Sequence, residues 1–210
     1  MKTVTASEMR RLEMDAFASG RISSAAAMDR AGRAVAEAIL DRVGRDTPGA
    51  ALVLCGPGNN GGDGYVIACA LRAAGWSIQV FGLSEADKMP TDAAAARRAW
   101  EALGQVRPLS EPVEAISPCD VVVDAVFGIG LSRPVASPLS DRFGEVEVLA
   151  RANQALKVAV DLPSGLDTDS GEVLGRALPA DMTVTFHALK PAHSLASQVC
   201  GDVIVADIGL

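Results

Sequence analysis

Residues 54–66, LCGPGNNGGDGYV, place five glycines and two adjacent asparagines between two apolar runs. Gly56, Gly58 and Gly61 satisfy the pattern G-x-G-x-x-G, in which a glycine-rich turn joins a strand to a helix and presents backbone N–H groups to a phosphate. The asparagine amides add hydrogen-bond donors and also acceptors, which suit a cation or a polar ring substituent. The segment predicts a strand–loop–helix unit whose loop holds a polar ligand.

The glycine pattern alone leaves the kind of ligand open. An ordinary dinucleotide fingerprint has an acidic residue about 20 positions further on that binds a ribose hydroxyl, but Phe81 and Gly82 stand there. A P-loop is excluded because no lysine follows the glycines. The alternative that needs no ligand is a tight strand-to-helix turn with Asp63 as the N-cap of the helix.

Short, valine-rich apolar runs alternate with helical segments along the rest of the chain. Such runs suit the buried strands of a parallel sheet. Strands are predicted at 51–55, 78–81, 121–127, 157–162, 182–186 and 202–208, and helices at 63–74, 86–103 and 139–156. This alternation predicts an α/β fold with a doubly wound open sheet and helices on both of its faces.

Two further helices are predicted before the first strand. The first has Thr5 or Ser7 as its N-cap and Gly20 as its stop, and the second lies between Ser24 and Gly44. These helices can pack on the core or form a dimer contact. The turn-rich link at 44–49 is too short for a domain boundary, so residues 1–210 are predicted to form a single domain.

Charge and cysteine usage exclude several classes of partner. The chain carries a formal net charge of -7, which disfavours nucleic acid and membrane surfaces. An anionic ligand therefore needs local backbone donors, helix dipoles or a bound cation. The four cysteines are widely spaced and are predicted to be reduced thiols. Because the sequence shows neither a signal peptide nor an apolar segment of the roughly 18 residues that a membrane span needs, we expect a cytoplasmic protein.

Two aspartates stand at the ends of neighbouring predicted strands. Asp124 lies near the end of one strand and precedes a second glycine-rich loop at 128–134, while Asp161 ends the next strand and precedes Pro163 and Ser164. Ligands of such sheets bind outside the carboxyl ends of the strands. Each aspartate alone could be a helix cap or a turn former, but together with the two glycine loops they predict one shared crevice.

Three segments together resemble a known family. They are GPGNNGGDG at 56–64, DAVFGIGLSRP at 124–134 and VDLPSGLDTDSG at 160–171, and they look like the signature segments of the NAD(P)H-hydrate epimerase family, also called the YjeF N-terminal domain. The segment MDRAGRAVAEAI at 28–39 is similar to the family's second helix. The resemblance implies a Rossmann-like three-layer αβα sandwich with a mostly parallel sheet and two N-terminal helices, usually found as a homodimer.

The resemblance also implies an activity. Members interconvert the R and S epimers of hydrated NADH and NADPH (NADHX and NADPHX), which carry a hydroxyl at C6 of the nicotinamide-derived ring. A partner dehydratase, driven by ATP or ADP, then restores the cofactor. The chain stops at VADIGL, where a dehydratase domain begins in bifunctional members, so it could be the N-terminal part of a longer bifunctional epimerase/dehydratase.

The residues that bind potassium and substrate in the family can be assigned to this chain by matching the three motifs. The resemblance implies potassium (K+) bound by side-chain oxygens of Asn60, Asp124 and Ser164, and a hard cation does favour oxygen ligands. Hydrogen bonds among these three residues are the alternative without an ion. The implied substrate contacts are Asn59, Asn60, Gly61, Gly62, Asp63, Gly128, Ile129, Gly130, Leu131, Ser132, Arg133, Pro134 and Asp161.

Asp161 is the predicted catalytic residue. Inversion at C6 needs a proton donor and acceptor near the hydroxyl, whether hydroxide leaves or the ring opens. A carboxylate in a partly desolvated crevice can have its pKa raised into a useful range and can steady a developing positive charge. Arg133 is a cation suited to phosphate. Leu139 replaces a tyrosine that family members often have beyond the second loop, which affects one substrate contact.

Other polar residues carry weaker hypotheses. His187 and His193 lack a nearby cysteine or carboxylate cluster, so a zinc site is disfavoured. Lys190, between them, either lends its charge to the crevice or is a solvated loop lysine. Asp167 and Asp169 are interpreted as a turn, because the spacing and the terminal glutamate of a calcium loop are missing.

Two functional classes stay open at this point. One is the epimerase, and the other is a non-catalytic nucleotide-binding scaffold module that acts through a protein partner. The presence of Asn60, Asp124, Asp161 and Ser164 together favours the enzyme. An ordinary NAD-dependent dehydrogenase is disfavoured by the missing ribose acid.

Overall fold

The computed structural model describes residues 3–44, 48–113 and 118–210. The helices are α1 (Ala6–Ala18), α2 (Ser24–Val43), α3 (Asn59–Ala73), α4 (Thr91–Glu101), α5 (Leu139–Asn153), α6 (Pro191–Leu195) and α7 (Ser197–Cys200), with a 3-10 helix at Ala86–Lys88. The strands are β1 (Ala50–Cys55), β2 (Ser77–Gly82), β3 (Val106–Pro108), β4 (Val121–Ala125), β5 (Leu156–Val160), β6 (Met182–Phe186) and β7 (Asp202–Ala206).

The seven strands form one sheet in the order β3-β2-β1-β4-β5-β6-β7. Each pair of neighbours is parallel. The chain runs outward from β1 in one direction and then, from β4, in the other, so the loops that follow β1 and β4 diverge from a switch point. Ligands of doubly wound sheets bind at this point because the diverging loops leave a crevice at the carboxyl edge.

Alternate residues of the central strands bury side chains on two faces, which produces three layers. Val53 of β1 packs in a cluster with Ile39 of α2 and Ile67 of α3, whereas Leu54 packs in a separate cluster with Phe143 of α5. Every residue of β1 is buried. A strand covered on both faces needs apolar residues at consecutive positions, and this explains why the valine-rich runs gave reliable strand predictions. The predicted α/β sandwich is confirmed.

The two N-terminal helices are present as predicted. Thr5 caps α1 through a capping box with Glu8, and Ser23 rather than Ser24 caps α2. Gly20, with a φ of 72°, follows the end of α1. The predicted link at 44–49 includes residues 45–47, which lie outside the described residues.

Several helix predictions need correction. Helix α3 begins at Asn59 with Gly58 as its N-cap, so Asp63 lies inside the helix and the prediction of Asp63 as an N-cap is wrong. The predicted helix 86–103 is interrupted before Thr91, because Pro90 stands at the N-cap of α4 and proline disfavours a helical residue before it. Strand β3 and helices α6 and α7 were missed, since elements of three to five residues carry too little periodicity to detect.

Four cysteines are free thiols, of which Cys69 is partly exposed and the others are buried. The predicted reduced state is therefore consistent with the geometry. Among the described residues, none of the helices has both the length and the apolar character required to cross a membrane.

Candidate active site

A cavity of about 470 Å³ lies at the carboxyl edge of the sheet, beside the switch point. Its walls come from the loop after β1 and the start of α3, from the loop after β4, from the segments after β5 and β6, and from α1. The lining residues are Met9, Arg10, Glu13, Pro57, Gly58, Asn59, Asn60, Asp63, Val126, Phe127, Gly128, Ile129, Gly130, Asp161, Phe186 and Lys190. The predicted convergence of three loops on one crevice is therefore observed.

The first glycine loop is shaped by close backbone packing. A Cβ atom at Gly56 would overlap the carbonyl oxygen of Val126, and one at Gly61 would overlap the carbonyl oxygen of Gly56. Gly56 also donates its N–H to the Ala125 carbonyl at 3.0 Å. These two glycines let the ends of β1 and β4 lie against each other, which brings the second loop to the start of α3. Gly61 and Gly62 are thus buried inside the fold and do not line the cavity.

Asp124 and Ser164 form a buried hydrogen-bonded unit that contacts Phe127, one of the residues lining the cavity. The Ser164 hydroxyl donates to Asp124 Oδ1 at 2.6 Å, and the Ser164 N–H donates to Oδ2 at 2.7 Å. The hydroxyl also accepts from the Phe127 N–H at 2.8 Å, which ties the loop after β5 to the loop after β4. Burial raises the pKa of Asp124 to about 6, although the hydrogen bonds from Ser164 and Val126 oppose the rise.

Asp161 is held at the end of β5 in a left-handed backbone conformation, with a φ of 66°. Its Oδ1 atom accepts hydrogen bonds from the Lys190 ammonium at 2.6 Å and from the Thr185 hydroxyl at 2.8 Å. Among the described residues, none donates a hydrogen bond to its other oxygen, Oδ2. This oxygen lies beside Gly128, since a Cβ atom added to Gly128 would be 3.0 Å from it. One oxygen therefore anchors the side chain and the other is left for a ligand.

The pKa of Asp161 is lowered, whereas the sequence predicts that it is raised. Burial would raise the pKa of Asp161, but the Lys190 ammonium and the hydrogen bonds from Lys190 and Thr185 outweigh it, so the pKa is lowered. The prediction of a raised pKa is therefore wrong. The physical reason is a buried cation that the sequence did not place: Lys190 is 1% exposed and also donates to Thr185 and to the Phe186 carbonyl. It is not a solvated loop lysine.

His193 joins the two members of this ion pair. Its Nδ1 accepts the Lys190 N–H at 2.9 Å, and its Nε2 lies 2.8 Å from the Asp161 carbonyl oxygen. Because Nδ1 accepts, the neutral ring carries its proton on Nε2 and donates it to that carbonyl. Burial lowers the pKa of His193, which keeps the ring neutral. His193 is thus a structural link in the site.

Asn60 stands close to the free side of Asp161. A Cβ atom at Gly128 would lie 3.0 Å from Asn60 Oδ1 as well as 3.0 Å from Asp161 Oδ2, so both oxygens lie beside Gly128. The Asn60 side-chain nitrogen is buried without a hydrogen-bond partner in the described structure. A buried amide without a partner is costly and is typical of a site that is completed by a ligand.

Part of the predicted substrate loop faces a neighbouring cavity. Leu131, Ser132, Arg133 and Pro134 line a cavity of about 540 Å³ together with Leu139, and this cavity shares Phe127 and Gly130 with the first one. Ile129 lines only the first of these two cavities. The two cavities therefore adjoin each other at Phe127 and Gly130.

The structure adds residues from α1 that the sequence did not single out. Arg10 donates to the Ile129 carbonyl at 2.8 Å, and Met9 is buried beside it. Glu13, one turn further, faces the cavity. No local motif marks these residues, because they reach the site only through the packing of α1 across the loop after β4. The contact of Thr185 with Asp161 was missed for a similar reason. In the sequence Thr185 is only an interior residue of a buried strand, and nothing marks its hydroxyl as part of the site.

Residues 167–170 form a turn, as predicted. Asp167 Oδ1 accepts the N–H groups of Asp169 and Ser170 at 3.1 and 2.8 Å. Asp169 in turn accepts the Ala6 N–H at 2.8 Å and so holds the start of α1. Both side chains therefore serve the position of α1.

The fold and the site define a Rossmann-like α/β protein with a carboxylate–lysine pair in a cavity at the switch point of its sheet. Residues 24–192 match the family described as YjeF-related protein N-terminus. The chain belongs to this family.

Relatives of known name cover nearly the whole chain. A Rhodobacter capsulatus protein named NAD(P)H-hydrate epimerase is 43% identical over 99% of this chain and 98% of its own length. A Roseobacter litoralis protein of the same name is 39% identical over the same shares. A Leishmania major protein named bifunctional NAD(P)H-hydrate repair enzyme is 35% identical over 98% of this chain, which spans 37% of that protein.

A solved structure shows the same fold. The crystal structure of yeast ynu0, YNL200c, superposes with a TM-score of 0.75 over 99% of this chain and 87% of that one, at 22% identity. At this identity the likeness concerns the fold alone.

Proposed function

We propose that this chain is an NAD(P)HX epimerase that interconverts the R and S epimers of hydrated NADH and NADPH. The observation that carries the proposal is the position of Asp161: a buried carboxylate, ionised by Lys190, presents its second oxygen to a cavity beside two glycine loops. The names of the full-length relatives support the same substrate class.

The geometry fits the chemistry that inversion requires. C6 of the substrate bears both a hydroxyl and the ring nitrogen, so its configuration can be lost either by departure of the hydroxyl or by opening of the C6–N1 bond. Both routes need a base: it takes a proton from the water that adds back in the first route and the hydroxyl proton in the second. Asp161 Oδ2 can accept that proton, because Lys190 and Thr185 occupy Oδ1 and keep the side chain in one orientation. The carboxylate also stabilises positive charge on the ring.

Equilibration of purified R-NADPHX with its S epimer, followed by chromatography, tests this function. We expect the protein to accelerate the equilibration well beyond the spontaneous rate, and Asp161→Asn to lower kcat by about 100-fold or more. Asp87→Asn changes an exposed carboxylate in the 3-10 helix and is the matched control. Bound substrate without acceleration by the wild-type protein would instead support the scaffold module.

We also propose potassium as the resident cation, held by Asn60, Asp124 and Ser164. Two features support the fit. Asp124 is a buried carboxyl with no basic side chain within ion-pair distance in the described part of the chain, and the side chains offer the oxygen ligands that a hard cation prefers. A bound potassium ion would supply positive charge for the substrate diphosphate in a chain whose net charge is -7.

The remaining predictions are proposals of the same kind. Arg133 and the other residues around the second cavity would receive the diphosphate and the adenosine half of the substrate, with Leu139 in the position often held by tyrosine. A dehydratase driven by ATP or ADP would consume the S epimer, either as a separate protein or as a fused domain. A homodimer and a cytoplasmic location remain predictions, which size analysis and fractionation of the native protein would test.

A further inference from the structure

Helix α1 is fixed along one wall of the cavity by several contacts. The Val4 N–H donates to the Leu189 carbonyl at 2.8 Å, and Arg10 donates to the Ile129 carbonyl at 2.8 Å. Met9 is 2% exposed and packs with Val4 and Ala188. These contacts join α1 to the segments after β4 and β6, both of which belong to the site. Side chains on the inner face of α1 are therefore held against the ligand cavity.

Glu13 is the carboxylate that α1 brings to this cavity. It follows Met9 and Arg10 by four and three residues, which places all three on one face of the helix. Glu13 also lines an adjoining smaller cavity with Phe17, Met28 and Asp63. In the described part of the chain, the Glu13 side chain forms neither a hydrogen bond nor an ion pair. A half-buried carboxyl group that lines a cavity and has no hydrogen-bond partner in the described structure is available to a ligand.

The charged groups around Glu13 come from four elements. Arg10 lies on α1, Asp63 on α3, Asp161 after β5 and Lys190 after β6. Burial and the negative charge of Asp161 raise the pKa of Glu13, and Lys190 and Arg10 offset part of this rise. The pKa of Asp161 is lowered instead, because burial is outweighed by Lys190 and by the hydrogen bond from Thr185. Two carboxyl groups whose surroundings drive their pKa values apart are typical of an acid and a base that act together.

We propose that Glu13 is a second catalytic residue, which donates the proton needed for inversion at C6 while Asp161 accepts one. This inference rests on the proposed epimerase function and adds the acid that Asp161, ionised by Lys190, cannot provide.

The proton balance is complete for either route. If the C6–O bond breaks, its electron pair stays on oxygen, Glu13 supplies the proton that makes the leaving group water, and Asp161 takes a proton from the water that adds to the other face. Exchange with solvent water then removes the proton from Asp161 and returns one to Glu13. If the C6–N1 bond breaks instead, its electron pair stays on nitrogen, Glu13 protonates that nitrogen and Asp161 takes the hydroxyl proton. Closure of the ring then reverses both transfers.

Asp63 is the competing donor, because it lines the same two cavities. It is more deeply enclosed, at 9% exposure, and burial with the nearby charges of Asp161 and Glu13 raises its pKa well above the ordinary value. Asp63 therefore suits a hydrogen bond to the substrate, and Glu13 suits proton transfer.

The decisive experiment compares Glu13→Gln, Asp63→Asn and wild-type protein in the R-to-S conversion of NADPHX across pH, with circular dichroism melting curves. Glu13→Gln keeps the shape of the side chain and removes its acid. We expect kcat to fall about 100-fold or more, KM and the melting temperature to stay close to wild type, and the alkaline decline of kcat to disappear. Glu37→Gln, an exposed position on α2, is the matched control.

A second variant separates proton transfer from structure. In Glu13→Ala, added imidazole should restore part of kcat, because its protonated form is an acid near neutral pH and can enter the space left by the side chain, whereas imidazole should not accelerate Glu13→Gln. The proposal is overturned if Glu13→Gln keeps wild-type kcat and its alkaline decline, or if Asp63→Asn alone abolishes that decline. Failure of the wild-type protein to accelerate epimerisation would overturn the proposed function itself, which is a different result.

Discussion

The Lys190 ammonium lies 2.6 Å from Asp161 Oδ1, and both side chains are buried at the carboxyl edge of the sheet. An ion pair inside a protein loses hydration on both partners, so it is stable only when further hydrogen bonds satisfy the remaining donors and acceptors. Here Thr185 and the Phe186 carbonyl take the other ammonium protons. The pair keeps Asp161 ionised in a place where burial alone would protonate it.

Loss of the lysine should therefore leave an uncompensated buried charge. We expect Lys190→Met to lower the free energy of unfolding by about 3–5 kcal/mol at neutral pH, measured by urea denaturation. The double variant Lys190→Met/Asp161→Asn should lose less than Lys190→Met, because the unpaired carboxylate is gone. Lys157→Met, which breaks a partly exposed pair with Asp181, is the control and should cost no more than about 1 kcal/mol. Equal losses at positions 190 and 157 would contradict this account.

The two kinds of glycine in the first loop should respond differently to alanine. At Gly61 the added Cβ overlaps a backbone oxygen, whereas at Gly58 it meets open space. Since a backbone carbonyl cannot rotate away as a side chain can, Gly61→Ala should lower the free energy of unfolding by about 3 kcal/mol or more. Gly58→Ala should change it by about 1 kcal/mol at most. Chemical denaturation of both variants provides the comparison, and similar values would show that the loop is not closely packed.

His193 should make the stability depend on pH in a defined direction. Its pKa is lowered in the folded protein, so between that value and the unfolded value of about 6.5 the unfolded chain binds more protons than the folded one. The free energy of unfolding should consequently fall as the pH drops below about 6.5. In His193→Gln, measured by urea denaturation over the same pH range, the fall should be smaller. An unchanged slope would mean that the pKa of the ring is the same in the folded and unfolded states.

Removal of potassium should lower the melting temperature, and this effect should depend on the Asp124 carboxylate. We expect the melting temperature of the wild-type protein to be higher in potassium chloride than in choline chloride at equal ionic strength, because a ligand that binds the folded state stabilises it by mass action, by about 2.7 kcal/mol at a concentration 100 times its Kd. Asp124→Asn keeps the side-chain shape and removes the charge, so it should abolish the difference. Asp87→Asn should retain it, and a salt-independent wild type would argue for hydrogen bonds in place of an ion.

The parts of the site that the sequence predicted are those in which neighbouring residues along the chain act together. The loop after β1 and Asp161 each follow a buried strand and Asp124 lies near the end of β4, and parallel strands bring their carboxyl ends to one edge. Glu13 and His193 carry no such signal. Each acts through a packing contact between distant segments: α1 against Ile129, and α6 against Asp161.

The sequence by itself determined the α/β class, the central strands, the glycine loops and the two strand-end aspartates, because a strand buried on both faces and a turn with close backbone approach each restrict the residue types that fit. Only the tertiary structure decided the protonation states. Whether Asp161 is ionised depends on a lysine 29 positions away that folds back to within 2.6 Å of it, and electrostatic energies depend on distance in space and on burial rather than on separation along the chain.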